Sequence, residues 1–173
     1  IYSFLMKKLK IFFFILIILF SNTYYLAADM EGLEDKSYLN PKNSDFKKGN
    51  DFLKKAIKYK KKDNLKKANQ QLEKAIKYFV SANRNIPNNI EILKLLGISY
   101  YLVGDMMMSE IYYLQALEID PKNYLTNKRL GELYFNSKKI ELANERLKSL
   151  KNCNCKEFIE LRDIINGTRK SDY

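Results

Sequence analysis

The sequence predicts an all-α protein, a short stack of paired helices closed by a further helix at its C-terminal end. Three observations point there. Six Gly and three Pro in 173 residues are too few turn-formers for a sheet of many hairpins. Apolar residues make up 46% and charged residues 29%, enough to bury a core and unlike the composition of a disordered tail. The lower half also repeats itself: Leu96-Gly97 returns as Leu130-Gly131, and Tyr100 as Tyr134, each 34 residues on. A fixed period of that order is the mark of stacked structural repeats and outweighs local propensity.

The elements follow in order. From Met6 the chain reads Met-Lys-Lys-Leu-Lys, then ten apolar residues from Ile11 to Phe20, then Ser21-Asn22-Thr23 and Leu26-Ala27-Ala28 ahead of Asp29. Basic start, short apolar middle and small residues before a cut are the order of a bacterial signal peptide. Residues 1–28 are therefore expected to be a leader with Met6 as its start, cut after Ala28, and the protein to be exported, in the periplasm or cell envelope. Ten apolar residues fall short of the roughly 20 that cross a bilayer. The window from Leu9 to Ala28 comes close to that length, so an inner-membrane anchor left uncleaved is the alternative. Residues 29–44, polar and carrying Asn40-Pro41, read as a flexible lead.

Between Ile90 and Asn123 stand Leu93, Leu96, Gly97, Tyr100, Ser109, Tyr113, Ala116 and Pro121. This spacing resembles the tetratricopeptide repeat (TPR), with Leu for its first aromatic and Ser for its first Ala. A second unit, 124–156, keeps Leu130, Gly131, Tyr134, Ala143 and Leu147, with Asn127 where an aromatic is usual and no closing Pro. A third, 49–89, places Phe52, Ala56, Tyr59, Ala68, Leu72 and Ala75 at 41 residues before their counterparts. The seven extra residues make close to two helical turns and are assigned to a longer second helix, between Ala75 and Pro87. Small residues at Gly97, Gly131, Ala56, Ala68 and Ala143 are expected where paired helices cross closely, because Gly inside a helix costs about 1 kcal/mol relative to Ala and needs such a reason. Residues 156–166, with Phe158, Ile159, Leu161, Ile164 and Ile165 at helical spacing, read as a capping helix. The repeat domain then spans 45–167, and 167–173 is a tail.

The resemblance implies a TPR-type helical-hairpin solenoid of about three repeats. It implies a non-catalytic scaffold that binds a peptide or protein, with the first helix of each pair lining the groove. By position the groove candidates are Lys54 and Lys61 in the first unit, Lys94, Ile98 and Tyr101 in the second, and Lys128, Arg129 and Phe135 in the third. Basic residues among apolar and aromatic ones suit a peptide with acidic groups. Members of the family that bind chaperone tails clamp a terminal carboxylate with Lys and Asn at set places. Leu53 and Ile57 stand at two of those places here, so the clamp is not reproduced, although Arg129 is suitably placed.

Other classes are disfavoured by composition. The chain has no His and so lacks the commonest general base and zinc ligand; neither an enzyme nor a cofactor or metal is expected. The net charge of +11 comes from Lys spread along the chain beside Asn and Ile, as on solvated helix faces, and no nucleic-acid partner is expected. Cys153-Asn154-Cys155 could form a disulfide stiffening the joint to the capping helix, could stay unpaired, or could serve thiol redox chemistry, the second alternative for function. Met106-Met107-Met108 is read as packing at a turn.

Overall fold

The computed structural model describes residues 44–171. The expected leader, and the lead segment up to residue 43, lie outside them. Seven helices follow one another: α1 (Ser44–Lys60), α2 (Leu65–Asn85), α3 (Ile90–Val103), α4 (Met106–Ile119), α5 (Tyr124–Asn136), α6 (Ile140–Leu150) and α7 (Lys156–Ile165). Each packs on its neighbour in sequence, and α7 also packs on α5. The molecule is all-α, its helices paired as antiparallel hairpins. Among the described residues no helix is long and apolar enough to cross a membrane.

Local chemistry sets the helix starts. Asn64, Asn89, Asp105 and Asn123 stand just ahead of α2, α3, α4 and α5, and each side chain accepts from the backbone N–H three residues on, at 3.0–3.1 Å. Each such cap is worth about 1 kcal/mol. The turns inside the three hairpins pass through a left-handed residue at equivalent positions, Asp63, Gly104 and Lys138, with φ of 56°, 97° and 60°. One turn geometry is thus used three times, and only the second turn uses the residue that adopts it without steric cost. Asn127, where the repeat usually has an aromatic, is 1% exposed. Its amide donates to the carbonyls of Pro121 and Asn123 at 3.0 and 3.1 Å, stitching the turn ahead of α5.

Packing follows the repeat. A Cβ on Gly97 would lie 2.5 Å from the Tyr113 ring of its paired helix, as expected, whereas one on Gly131 would lie 2.6 Å from Leu161 of α7, outside the pair, and 3.3 Å from Arg146 of α6. The first hairpin is longer than the others in both its helices, of 17 and 21 residues, rather than in the second alone. The reason is a second close crossing. Gly49 stands seven residues before Ala56, Phe79 seven after Leu72, and a Cβ on Gly49 would lie 2.6 Å from the Phe79 ring. The hairpin thus repeats its own crossing two turns further from its tip. One cluster, with Leu53, Leu72, Phe79, Ile92 and Leu96, joins α1, α2 and α3, and another, with Tyr101, Tyr113, Leu130, Leu133 and Tyr134, joins α3 to α6. α3 is apolar on most of its surface because helices cover it on both sides, whereas α1 is covered on one side and stays amphipathic.

Past α7 the chain turns back. The Thr168 and Arg169 amides donate to the Asp163 carbonyl at 2.9 and 3.1 Å, and Asn136 at the end of α5 donates to the Ser171 hydroxyl at 3.3 Å. Up to Ser171 this segment is tied to the stack.

Candidate functional site

The first helices of the three pairs, α1, α3 and α5, share one face of the stack, and the groove candidates sit on them with very different surroundings. Lys54 and Ile57 are exposed on α1, Ile57 at 38%. Lys94 is half-buried and paired along α3 with Glu91. Leu95 and Ile98 on the same helix are half-buried against the first core cluster, and Ile98 and Phe135 against the second. Lys54 and Ile57 of α1 stand 41 residues before Leu95 and Ile98 of α3, at equivalent places in the first helices of their pairs, with Lys94 beside the latter two in sequence.

Four candidates are placed otherwise than expected. Lys61 lies in the turn after α1, exposed at the tip of the hairpin. Tyr101 is buried, and its hydroxyl accepts from Asn136 Nδ2 at 2.6 Å; loss of water around the phenol, the largest influence, raises its pKa. Lys128, with 3% of its side chain exposed, lies 2.6 Å from Glu160 of α7 and 3.4 Å from Glu132. Arg129 lies 3.0 Å from the other Glu132 oxygen. Glu132 is wholly buried, and Arg169 reaches Glu160 at 3.4 Å. Lys128 is thus enclosed in structural ion pairs rather than open to a groove, while Arg129 is half-buried and paired with Glu132. Taking such charges out of water is tolerated because every one of them meets a counter-charge.

The physical reason is α7. It stacks on α5 where a further repeat would have supplied its first helix, and it brings Glu160 onto Lys128. The sequence places Lys128 on the groove face because Glu160, the partner that covers it, lies thirty-two residues away, in an element outside the repeat. Glu132 beside Lys128 at helical spacing was the available signal.

Cys153 and Cys155 are joined by a disulfide in the α6–α7 connection. Met106 and Met107 are exposed at the start of α4, at 37% and 69%, rather than packed in the turn. Among the described residues no group of three or more His, Cys, Asp or Glu could hold a metal.

Among solved structures, the first TPR domain of Spaghetti (RPAP3), determined bound to the HSP90 peptide SRMEEVD, is similar to this chain with a TM-score of 0.51 and 20% identity, over 71% of this chain and 94% of that one. The fold is that of a TPR domain, and the protein is in class a helical-repeat protein. No family model matches the chain, and no curated protein matches its sequence.

Proposed function

We propose that this protein is a non-catalytic adaptor that holds a peptide segment of another protein against α1 and α3. The observation that carries the reading is that Lys54 and Ile57, exposed on α1, and Leu95 and Ile98, half-buried on α3, hold equivalent first-helix places, whereas the third unit encloses Lys128 and Glu132 in ion pairs at the places of Leu53 and Ile57. Apolar side chains would anchor the ligand, and the lysines would meet acidic groups beside them. The structural relative was solved with an acidic peptide, which supports a peptide ligand in general. Leu53 and Ile57 at the clamp places, and Glu132 on Arg129, favour an internal segment over a chain terminus.

Export to the periplasm or cell envelope belongs to the same proposal and is supported by the residue order from Met6 to Ala28. The membrane-anchored form is distinguished from it by the N-terminal residue of the protein recovered from cells. The disulfide at the α6–α7 joint is proposed to be structural.

The test is an affinity capture of the tagged protein from its native envelope fraction, beside the variant Lys54→Glu, Ile57→Ser, Ile98→Ser. Capture of a protein by the native chain, with its loss from a variant that keeps its helical circular dichroism, is expected. Equal capture by both would end the groove reading.

A further inference from the structure

The second helix of every hairpin starts with an apolar residue left in water. Leu65, Met106 and Ile140 occupy the first positions of α2, α4 and α6, at repeat spacings of 41 and 34 residues. They are 55%, 37% and 39% exposed, and Met107 beside them is 69% exposed. In a stack of antiparallel hairpins the three turns inside the pairs fall on one edge. These residues therefore form a row along that edge, apart from the groove. Singly exposed apolar residues need no explanation; what sets these apart is that they recur at one place in all three units, outside both core clusters.

Charge states which. Around Leu65 the first tip carries Lys58, Lys60, Lys61, Lys62, Lys66 and Lys67, all exposed, against Asp63 alone. The third tip adds Lys138 and Lys139, the latter 3.0 Å from Glu110. The remaining acids nearby are Asp105, which caps α4 through the Met108 amide, and Glu141. Lysines interleaved with protruding Leu, Met and Ile match the layering of an anionic bilayer, with phosphates outside and acyl chains a few ångströms below. An acidic protein would meet the lysines and leave the row of apolar tips without a counterpart. Single-stranded nucleic acid would call for exposed aromatic platforms, and Tyr59, the aromatic nearest the first tip, is half-buried with Lys67 over its ring at 5.8 Å; a duplex would meet the lysines through its phosphates and leave the apolar row without a counterpart.

We infer that this edge is a membrane-docking surface: the lysines of the first and third hairpin tips bind anionic lipid headgroups, while Leu65, Met106, Met107 and Ile140 enter the interface. The inference is independent of the groove and of what the groove holds. Docked this way, the stack would rest on one edge and leave the exposed face of α1 open to a ligand.

The experiment uses the full chain with Met107→Cys carrying an environment-sensitive fluorophore, so that the apolar segment near the N-terminus cannot supply the signal. Vesicles of phosphatidylcholine alone are compared with vesicles that also contain phosphatidylglycerol. A blue shift with the anionic vesicles is expected, together with quenching by lipids brominated on their acyl chains. In the variant Lys60→Gln, Lys62→Gln, Lys66→Gln the lipid concentration needed should rise roughly tenfold or more, since each lysine near the surface contributes about 1 kcal/mol. A label that stays in water on anionic vesicles overturns the inference, as does a response equal on both vesicle types or unchanged in the lysine variant. A shift produced by poly-glutamate and not by vesicles overturns it in favour of an acidic protein partner.

Discussion

The first hairpin and the third unit put the same repeat positions to opposite uses. Leu53 and Lys128 are equivalent, as are Ile57 and Glu132, yet Leu53 is buried in an apolar cluster and Lys128 in an ionic one, while Ile57 is exposed and Glu132 is wholly enclosed. Residues 44–86 hold thirteen Lys and Arg against four Asp and Glu, whereas residues 87–171 hold thirteen against eleven. In the first hairpin Lys48, Lys55 and Lys74 lie over the rings of Tyr78 and Phe52 at 5.2–5.6 Å. In the third unit the cations meet Glu132 and Glu160 directly. What stacks next to a helix, more than its place in the repeat, decides whether its residues serve the core or the surface. α3 offers Ile92 and Leu96 to the first hairpin, and α7 offers Glu160 to the third unit.

The sharpest way to break this comparison is Lys128→Met. It leaves Glu132 and Glu160 enclosed with one cation fewer, and the expected loss is about 3–5 kcal/mol of unfolding free energy, measured in urea. A loss under about 1 kcal/mol would show that the ionic cluster does not hold α7 on α5. Lys94→Met, at the equivalent place in α3 with an exposed partner, should change stability by less than about 1 kcal/mol.

Gly97→Ala and Gly131→Ala compare the two interfaces by their stiffness. At Gly97 the new methyl meets the ring of Tyr113, which is fully buried, so overpacking of about 1–3 kcal/mol outweighs the helix propensity gained. At Gly131 it meets the branched end of Leu161, on a capping helix covered from one side, and the net cost should be smaller. Equal costs by thermal or urea unfolding would mean that α7 is as rigidly seated as α4.

The smallest expected effect concerns alkaline pH. Burial, and then the hydrogen bond and charge of Glu110, raise the Tyr134 pKa from 10.0 to about 12. A tyrosine whose folded pKa is raised favours the folded state while protonated. Its contribution is complete below the unfolded pKa near 10 and is lost as pH rises toward 12. Tyr134→Phe should therefore lose less stability than the native chain over that interval. Parallel pH profiles for the two would show that the phenol is as well solvated folded as unfolded.

Much of this was legible because it is local. The 34-residue period, the closing Pro87 and Pro121, and Gly97 opposite Tyr113 are short-range features that predict an all-α stack of paired helices, whereas the close neighbour of Gly131 is Leu161 of α7. The longer first hairpin is legible in a seven-residue offset, and Gly49 carries the part of it that falls on α1. A glycine seven residues before Ala56, matched by Phe79 seven after Leu72, was the signal that both helices lengthen together. The row of Leu65, Met106 and Ile140 was likewise open to reading, since its members share a repeat position, but their exposure is a property of the stack.

By itself the sequence determined the helices, their starts and their pairing, because capping, turn geometry and close crossings depend on residues within a few turns of one another. Tertiary structure alone decided which polar residues face solvent. Lys128, Arg129 and Tyr101 look from the sequence like groove residues. Their surroundings come from Glu160, from Asn136 and from the segment that runs back to Ser171, and the burial of a charge is settled by whichever helix comes to cover it.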